Sequence, residues 1–202
     1  MKVFYYSLTT AVILFFIWQF YSAQSNKKYE SMHAEYLGHL GEVKFKIFDH
    51  YTRASVKLNN GNMKSANSKF SILANYIFGG NDKNAQIQMT SPVIYNMENS
   101  ATFSFLMPSE WENNLPQPNS KDIFFSSIDN QCVAILAFGG YAKPAKCKDK
   151  HQKLQQKLTD LGIDHNDDYI IAIYQPPYQL INRKNEIWVE VKIDQIEKLL
   201  DN

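Results

Sequence analysis

This chain has few of the residues on which metal centres depend. Its 202 residues include two cysteines and five histidines. Cys132 and Cys147 lack the close spacing of a zinc-binding pair and allow at most one disulfide. No two histidines have the i, i+4 spacing that a zinc site on a single helix requires. We therefore expect no zinc site, and we expect two small buried cysteines, Cys132 in a strand and Cys147 on a helix.

A strong net charge is also lacking. Lysine and arginine total 21 and aspartate and glutamate total 20, so the formal net charge is +1. A domain that binds nucleic acid normally carries a clear basic excess on one face. The composition therefore argues against a nucleic-acid partner.

Catalytic constellations are missing as well. Ser91 lies in the segment Met89-Thr-Ser-Pro, which has no nearby base to activate the hydroxyl as a nucleophile. Gly79-Gly80 follows a predicted helix and lacks the lysine of a phosphate-binding loop, which precedes a helix. The sequence therefore predicts a protein that is not an enzyme.

Charged residues are absent from most of the N-terminus, where a long apolar run stands instead. Only Gln19 is strongly polar between Val3 and Tyr21, and no charged residue lies between Lys2 and Lys27. About 20 helical residues cross the hydrocarbon core of a membrane, so this run is just long enough. Tyrosine and tryptophan at its two ends fit the aromatic belts of membrane interfaces. The run therefore predicts a membrane-spanning segment.

Three regions follow from this pattern. Residues 1–23 are predicted as an N-terminal membrane anchor, residues 24–35 as a polar linker, and residues 36–202 as a folded domain outside the cytoplasm, periplasmic or extracellular. A signal peptide is the main alternative, because cleavage after Ser22-Ala23 would release a secreted domain. A buried helix is the third interpretation of the same run.

The rest of the chain shows one order of elements twice: two strands, a helix and two more strands. Alternating apolar residues mark the strands, and apolar residues at helical spacing mark the helices. The predicted strands are 43–47, 54–58, 87–95, 101–107, 123–128, 132–138, 169–174 and 187–193; the predicted helices are 65–78, 145–161 and a short terminal one at 194–201. This order predicts an α+β fold: a distorted eight-stranded antiparallel β-barrel with two packed helices, pseudo-duplicated as (ββαββ)2 and closed to avoid exposed edges.

The second predicted helix has an apolar face and a basic stripe. His151 falls in line with Cys147, Leu154, Leu158 and Leu161, so we expect a core histidine rather than a ligand or a switch. The basic stripe beside that face consists of Lys146, Lys150, Lys153 and Lys157. A solvated face is its expected role. Attraction to an anionic membrane or to the carboxylates of a ligand are the alternatives.

Six short motifs follow one another along the last two-thirds of the chain. They are Tyr76-Ile-Phe-Gly-Gly-Asn81, Met89-Thr-Ser-Pro-Val93, Met107-Pro-Ser, Phe138-Gly-Gly-Tyr-Ala142, Tyr174-Gln-Pro-Pro177 and Arg183-Lys-Asn-Glu-Ile-Trp188. In this order and spacing they resemble the SOUL family of haem-binding proteins. The resemblance covers roughly residues 29–192 and is strongest over 76–93 and 182–189.

The resemblance implies a fold and a function. The implied fold is similar to the bacterial effector-binding fold, a distorted eight-stranded barrel with two helices and a duplicated unit. The implied function is reversible, non-catalytic binding of haem or another porphyrin in an apolar groove beside the first helix, near the loop before the last strand. Carried over to this chain, it implicates Phe70, Leu73, Ala74 and Ile77 on the helix, with Tyr178 and Leu180 opposite.

Three positions bear on how closely the chain follows the family. Asn67 and Asn75 stand where one branch has basic residues that could pair with propionates. His50, which precedes Tyr51, resembles the axial iron ligand of another branch, although the sequence alone predicts a surface turn there. A protein-interaction module of the same fold, without a tetrapyrrole, is therefore the alternative function. The sequence indicates no particular protein partner.

Overall fold

The computed structural model of the chain describes residues 14, 15, 18, 30–59, 63, 66–97, 101–111 and 114–200. These residues form nine strands and three α-helices. The strands are β1 (Glu30–Ser31), β2 (Glu35–Leu40), β3 (Val43–Lys57), β4 (Thr90–Ser91), β5 (Val93–Asn96), β6 (Thr102–Leu106), β7 (Phe124–Gly139), β8 (Ile170–Ile173) and β9 (Lys184–Glu190). The helices are α1 (Ala66–Ile77), α2 (Pro144–Asp160) and α3 (Ile193–Leu200).

Six of these strands close into an antiparallel barrel. The order around the ring is β3-β6-β5-β8-β9-β7, and pairing of β7 with β3 completes it. Strand β2 lies outside the ring on the edge of β3, and β1 pairs with β4 in a separate parallel ladder. The predicted α+β fold with a closed antiparallel barrel is confirmed.

The barrel has six strands where the sequence predicts eight, because two predicted pairs of strands each form one long strand. The strands predicted on either side of residue 50 are both part of β3, and those on either side of residue 130 are both part of β7. The two long strands pair along nearly their whole length, from Val43 with Leu136 to Ser55 with Phe124. At mid-length Asn130 adopts a φ of 50°. The polar residues Asp129, Asn130 and Gln131 interrupt the apolar alternation of the sequence there. The predicted duplication of a ββαββ unit stays a prediction.

Alternate residues of the barrel strands enter different core clusters. On β7, Ala134 belongs to the cluster that packs against α2, whereas its neighbour Ile135 belongs to a second cluster on the opposite face of the strand. In that second cluster, Phe48 stacks on Trp188 with 4.9 Å between ring centroids. A third cluster packs α1 against β3 and β6. Helices α1 and α2 therefore pack on different parts of the barrel, and α3 joins the cluster of α2 through Ile196.

The buried face predicted for α2 is confirmed. Cys147, His151, Leu154 and Leu158 are buried. The His151 ring stacks on Tyr169 with 3.9 Å between centroids. Burial lowers the pKa of His151, which favours the neutral imidazole. The predicted core position is confirmed, although Nε2 has no hydrogen-bond partner among the described residues. Cys132 and Cys147 are both free and buried, and burial raises the pKa of each thiol to about 11.

The lysine stripe of α2 is used to attach the helix. The Lys153 and Lys157 ammonium groups lie 2.7 and 3.6 Å from the Glu42 carboxylate, in the turn between β2 and β3. Lys146 donates a 2.7 Å hydrogen bond to the Gly139 carbonyl at the end of β7. The pairs with Glu42 are exposed to solvent, which weakens their attraction. Three lysines of the stripe therefore contact groups of the protein outside the helix.

Candidate ligand-binding surface

The loop of residues 174–183, which joins β8 to β9, presents three large apolar side chains to solvent. Tyr178, Leu180 and Ile181 are 50%, 49% and 41% exposed, and we call them the apolar tip. A cluster of exposed apolar side chains commonly marks a binding surface. Two of the three, Tyr178 and Leu180, are residues that the family resemblance implicates. The loop therefore has the outward-facing side chains that an apolar ligand needs.

The backbone of the same loop surrounds a buried arginine. Arg183 Nη1 donates to the carbonyl oxygens of Pro176 at 2.6 Å and Gln179 at 2.7 Å, and Nη2 donates to that of Gln175 at 3.1 Å. The guanidinium carbon lies 4.3 Å from the centroid of the Tyr141 ring. Burial lowers the pKa of Arg183, but a guanidinium keeps its proton in proteins. The loop is thus folded around a cation.

The apolar face of α1 divides between the core and the surface. Leu73 and Ile77 are 0% and 1% exposed and pack into the cluster formed with β3 and β6. Phe70 is 41% exposed, and its ring lies edge-on to that of Phe105 with 5.3 Å between centroids. Ala74 is half-buried. Leu73 and Ile77 therefore hold the helix on the barrel, whereas Phe70 and Ala74 leave surface for a ligand; a binding role for all four stays a prediction.

One aromatic residue of the N-terminal run reaches the loop. The Trp18 ring centroid lies 6.0 Å from that of Tyr178 and 6.1 Å from that of Phe15. Both N-terminal rings are themselves exposed. The remainder of the predicted anchor, residues 1–23, lies outside the described residues. Within the described part of the chain, no helix is long and apolar enough to cross a membrane.

His50 lies in the middle of β3, so the turn predicted there is wrong. It is paired with Asp129 of β7, and its Nδ1 lies 2.5 Å from the Asp129 carboxylate. The strand continues because its backbone is hydrogen-bonded to β7 on both sides of this position. A metal-bound histidine usually has a carboxylate or carbonyl on its other ring nitrogen. Asp129 supplies such a carboxylate, and iron ligation by His50 stays a prediction.

The structure adds a buried carboxylate that the sequence pattern did not single out. Glu186 of β9 is 4% exposed, and its Oε2 accepts hydrogen bonds from the Tyr174 hydroxyl at 2.6 Å and the Trp188 indole at 2.8 Å. The Lys184 ammonium lies 2.8 Å from Oε1. Burial alone would raise the pKa of Glu186, but these hydrogen bonds outweigh it and lower the pKa. The network ties Tyr174, at the start of the loop, to the strand that follows it.

Two cavities beside β7 and β9 are unsuited to an apolar macrocycle. The first, between Gln131 and Glu190, has a volume of about 30 Å³, which is room for little more than one water molecule. The second has about 250 Å³, but its walls include Asp164, His165 and Lys192. In the ranges that the structure describes, no group of three or more His, Cys, Asp or Glu residues could hold a metal ion. Neither cavity combines the size and the apolar walls that a large apolar ligand needs.

These features define an α+β barrel protein with an exposed apolar loop and, among its described residues, no metal cluster. The family model described as SOUL heme-binding protein matches residues 26–190. The chain therefore belongs to the SOUL family, and the resemblance found in the motifs is confirmed.

Relatives in this family are named for haem binding. The chain is 30% identical to heme-binding protein 2 of Mus musculus over 129 residues, which are 59% of this chain and 63% of the relative. It is 32% identical to heme-binding protein 1 of Xenopus tropicalis over 124 residues, 57% of this chain and 65% of the relative. The aligned part thus spans less than two-thirds of either relative. Neither name refers to a catalytic activity.

Solved structures share the fold at low sequence identity. The crystal structure of the EcmrR C-terminal domain has a TM-score of 0.54 at 11% identity, covering 74% of this chain and 96% of that domain. The cryo-EM structure of an EcmrR–DNA complex has a TM-score of 0.56 at 12% identity, covering 92% of this chain and 69% of that chain. Identity at this level shows the fold alone.

Proposed function

We propose that the protein binds haem or a related porphyrin without catalysis, on an apolar surface between α1 and the loop before β9. The observation that carries this proposal is the apolar tip, exposed in a chain that belongs to a haem-binding family. Phe70 and Ala74 would contact the macrocycle from the helix, and Tyr178 and Leu180 from the loop. Each 100 Å² of apolar surface buried contributes about 2.5 kcal/mol before the costs of association.

Two further predicted site residues would act from behind the surface. Leu73 and Ile77 are buried beneath the exposed part of α1, so they would fix the height and angle of the helix rather than touch the ring. In this arrangement the affinity comes mainly from apolar burial.

Iron coordination is a separate part of the proposal. We assign His50 as the candidate axial ligand, supported by its match to a family ligand position and by the Asp129 carboxylate on Nδ1. An imidazole ligand imposes a strong axial field on ferric iron, so its removal changes the absorption spectrum. If apolar contact alone holds the haem, His50→Ala leaves the Soret position and the affinity unchanged.

Haemin titration of the purified full-length protein in mild detergent tests the proposal. We expect a Soret shift that saturates at one equivalent, with detergent alone as the reference. The double variant Tyr178→Ser, Leu180→Ser should bind about tenfold or more weakly, because two exposed apolar contacts are lost. Tyr36→Ser is the matched control, since Tyr36 is 52% exposed but lies on the outer strand β2.

The alternative function is a protein-interaction module of the same fold. It is favoured by Asn67 and Asn75, which replace basic residues that could pair with propionates, and Asn75 lies exposed on α1. Haemin at micromolar concentration that leaves the Soret band of the detergent reference unchanged would support this alternative and contradict tetrapyrrole binding.

We also propose that residues 1–23 anchor the protein in a membrane, with the folded domain outside the cytoplasm. The charge-free run and the contact between Trp18 and Tyr178 support an apolar N-terminal segment beside the loop. The full-length protein should remain in the membrane pellet after alkaline carbonate treatment. Release into the carbonate supernatant, or a mature N-terminus at Gln24 by mass spectrometry, would instead indicate a soluble or cleaved form.

A further inference from the structure

Several backbone carbonyl groups of the loop before β9 accept hydrogen bonds from side chains. Arg183 holds three of them, as described above, and the Tyr141 hydroxyl donates to the carbonyl of Pro177 at 3.1 Å. The Gln179 amide, whose side chain is 2% exposed, donates to the carbonyl of Ile181 at 2.9 Å. Two of these donors, Arg183 and Gln179, are buried, whereas Tyr141 is 41% exposed. Five carbonyl groups of the loop therefore accept hydrogen bonds from side chains, while the side chains of the apolar tip are 41–50% exposed.

Arg183 is the centre of this arrangement. It is 8% exposed, and in the described part of the chain its hydrogen-bond partners are backbone carbonyls of the loop. A buried charge usually pairs with an opposite charge, whereas Nη1 and Nη2 of this one donate to carbonyl oxygens, its Nε has no hydrogen-bond partner among the described residues, and the guanidinium lies over the face of Tyr141. The hydrogen bonds of the guanidinium therefore all connect parts of the same loop.

We propose that Arg183 is a positioning residue for ligand binding, because its planar fork holds the loop in the shape that presents the apolar tip. This inference rests on the proposed tetrapyrrole function. A loop that is already ordered loses less conformational freedom on binding, so its affinity for a rigid macrocycle is higher. Lysine cannot replace the fork, since an ammonium is a compact charge on a flexible stem and lacks the fixed, planar set of donors.

Arg183→Lys and Arg183→Met in the full-length protein test this role with two measurements. Haemin affinity should fall at least tenfold in both variants. Amide hydrogen exchange should accelerate over residues 178–182 and remain unchanged in α2. Arg53→Lys is the matched control, because Arg53 is a partly buried arginine that donates to Ser126 at 2.8 Å, between β3 and β7. It should leave both measurements at the wild-type value.

Other outcomes overturn the inference. Wild-type affinity in Arg183→Lys would show that charge suffices and the fork is unnecessary. Unchanged exchange in the loop would show that Arg183 does not order it. Faster exchange throughout the barrel would make Arg183 a general stabilising residue. If wild-type protein itself fails to shift the Soret band, the proposed function falls, and the exchange measurement alone then decides whether Arg183 orders the loop.

Discussion

Leu73→Asp should unfold the domain. The Leu73 side chain is 0% exposed and packs with Val56, Phe103 and Phe105 in the cluster beneath α1. Loss of a buried leucine side chain costs about 2–5 kcal/mol, and an unpaired carboxylate in the same place adds several kcal/mol more. The total is comparable to the whole free energy of unfolding of a typical domain, about 5–15 kcal/mol. Circular dichroism at 25 °C should show loss of native structure.

Phe70→Asp is the matched control for this change. Phe70 lies on the same helix, one turn earlier, but is 41% exposed, so an aspartate there reaches water. The variant should keep its circular dichroism spectrum and lose haemin binding. A folded Leu73→Asp protein that no longer binds haemin would contradict the assignment of Leu73 to the core and would return it to the ligand surface.

The helices could be predicted from sequence because their signals are local. The first was predicted over residues 65–78 and is observed over Ala66–Ile77. The second was predicted over residues 145–161 and is observed over Pro144–Asp160. Apolar residues at helical spacing set the faces of both helices, and glycine residues follow close behind their ends. The bounds of both helices could therefore be predicted because the apolar pattern that defines each helix lies within its own segment.

The long strands could not be predicted as single elements because their continuity depends on distant pairing. Around residues 50 and 130 the apolar alternation breaks, and polar residues such as Asp49 and Asn130 give the sequence a pattern typical of turns. Strand β3 nevertheless continues, because β7 supplies hydrogen-bond partners on both sides of the break. Partners that are far apart in sequence leave no local signal, so eight strands were predicted where six close the barrel.

Residues of the proposed ligand surface likewise divide into those that could be predicted from the sequence and those that could not. Tyr178 and Leu180 were named through the family resemblance, and both are exposed on the loop. Arg183 and Glu186 lie inside the motif of residues 183–188, yet their roles were missed. Arg183 binds backbone carbonyls, which any sequence provides, and Glu186 binds side chains brought together by the barrel. Neither kind of contact produces a periodic pattern that could be detected in the sequence.

Glu186→Ala should lower the free energy of unfolding by about 1–3 kcal/mol, because it leaves a buried donor without its acceptor. The Trp188 indole, on a side chain that is 1% exposed, would lose its partner, as would the Tyr174 hydroxyl. Urea unfolding followed by circular dichroism measures the loss. Glu190→Ala on the same strand is the control; Glu190 is exposed and accepts from Gln131, so its removal should cost about 0–1 kcal/mol.

Glu186→Gln separates the charge from the shape of this side chain. Hydrogen bonds from Lys184, Tyr174 and Trp188 overcome the effect of burial and lower the pKa of Glu186 below its ordinary value of 4.5. The folded state therefore holds a proton on this group less readily than the unfolded state. Its stabilising contribution is fully present above about pH 4.5 and is lost as the pH falls through the lowered pKa of the folded state. The stability difference between wild type and Glu186→Gln should consequently be largest near neutral pH and shrink in acid. A difference that stays constant from pH 7 to pH 3 would show that the Glu186 charge is not what the network stabilises.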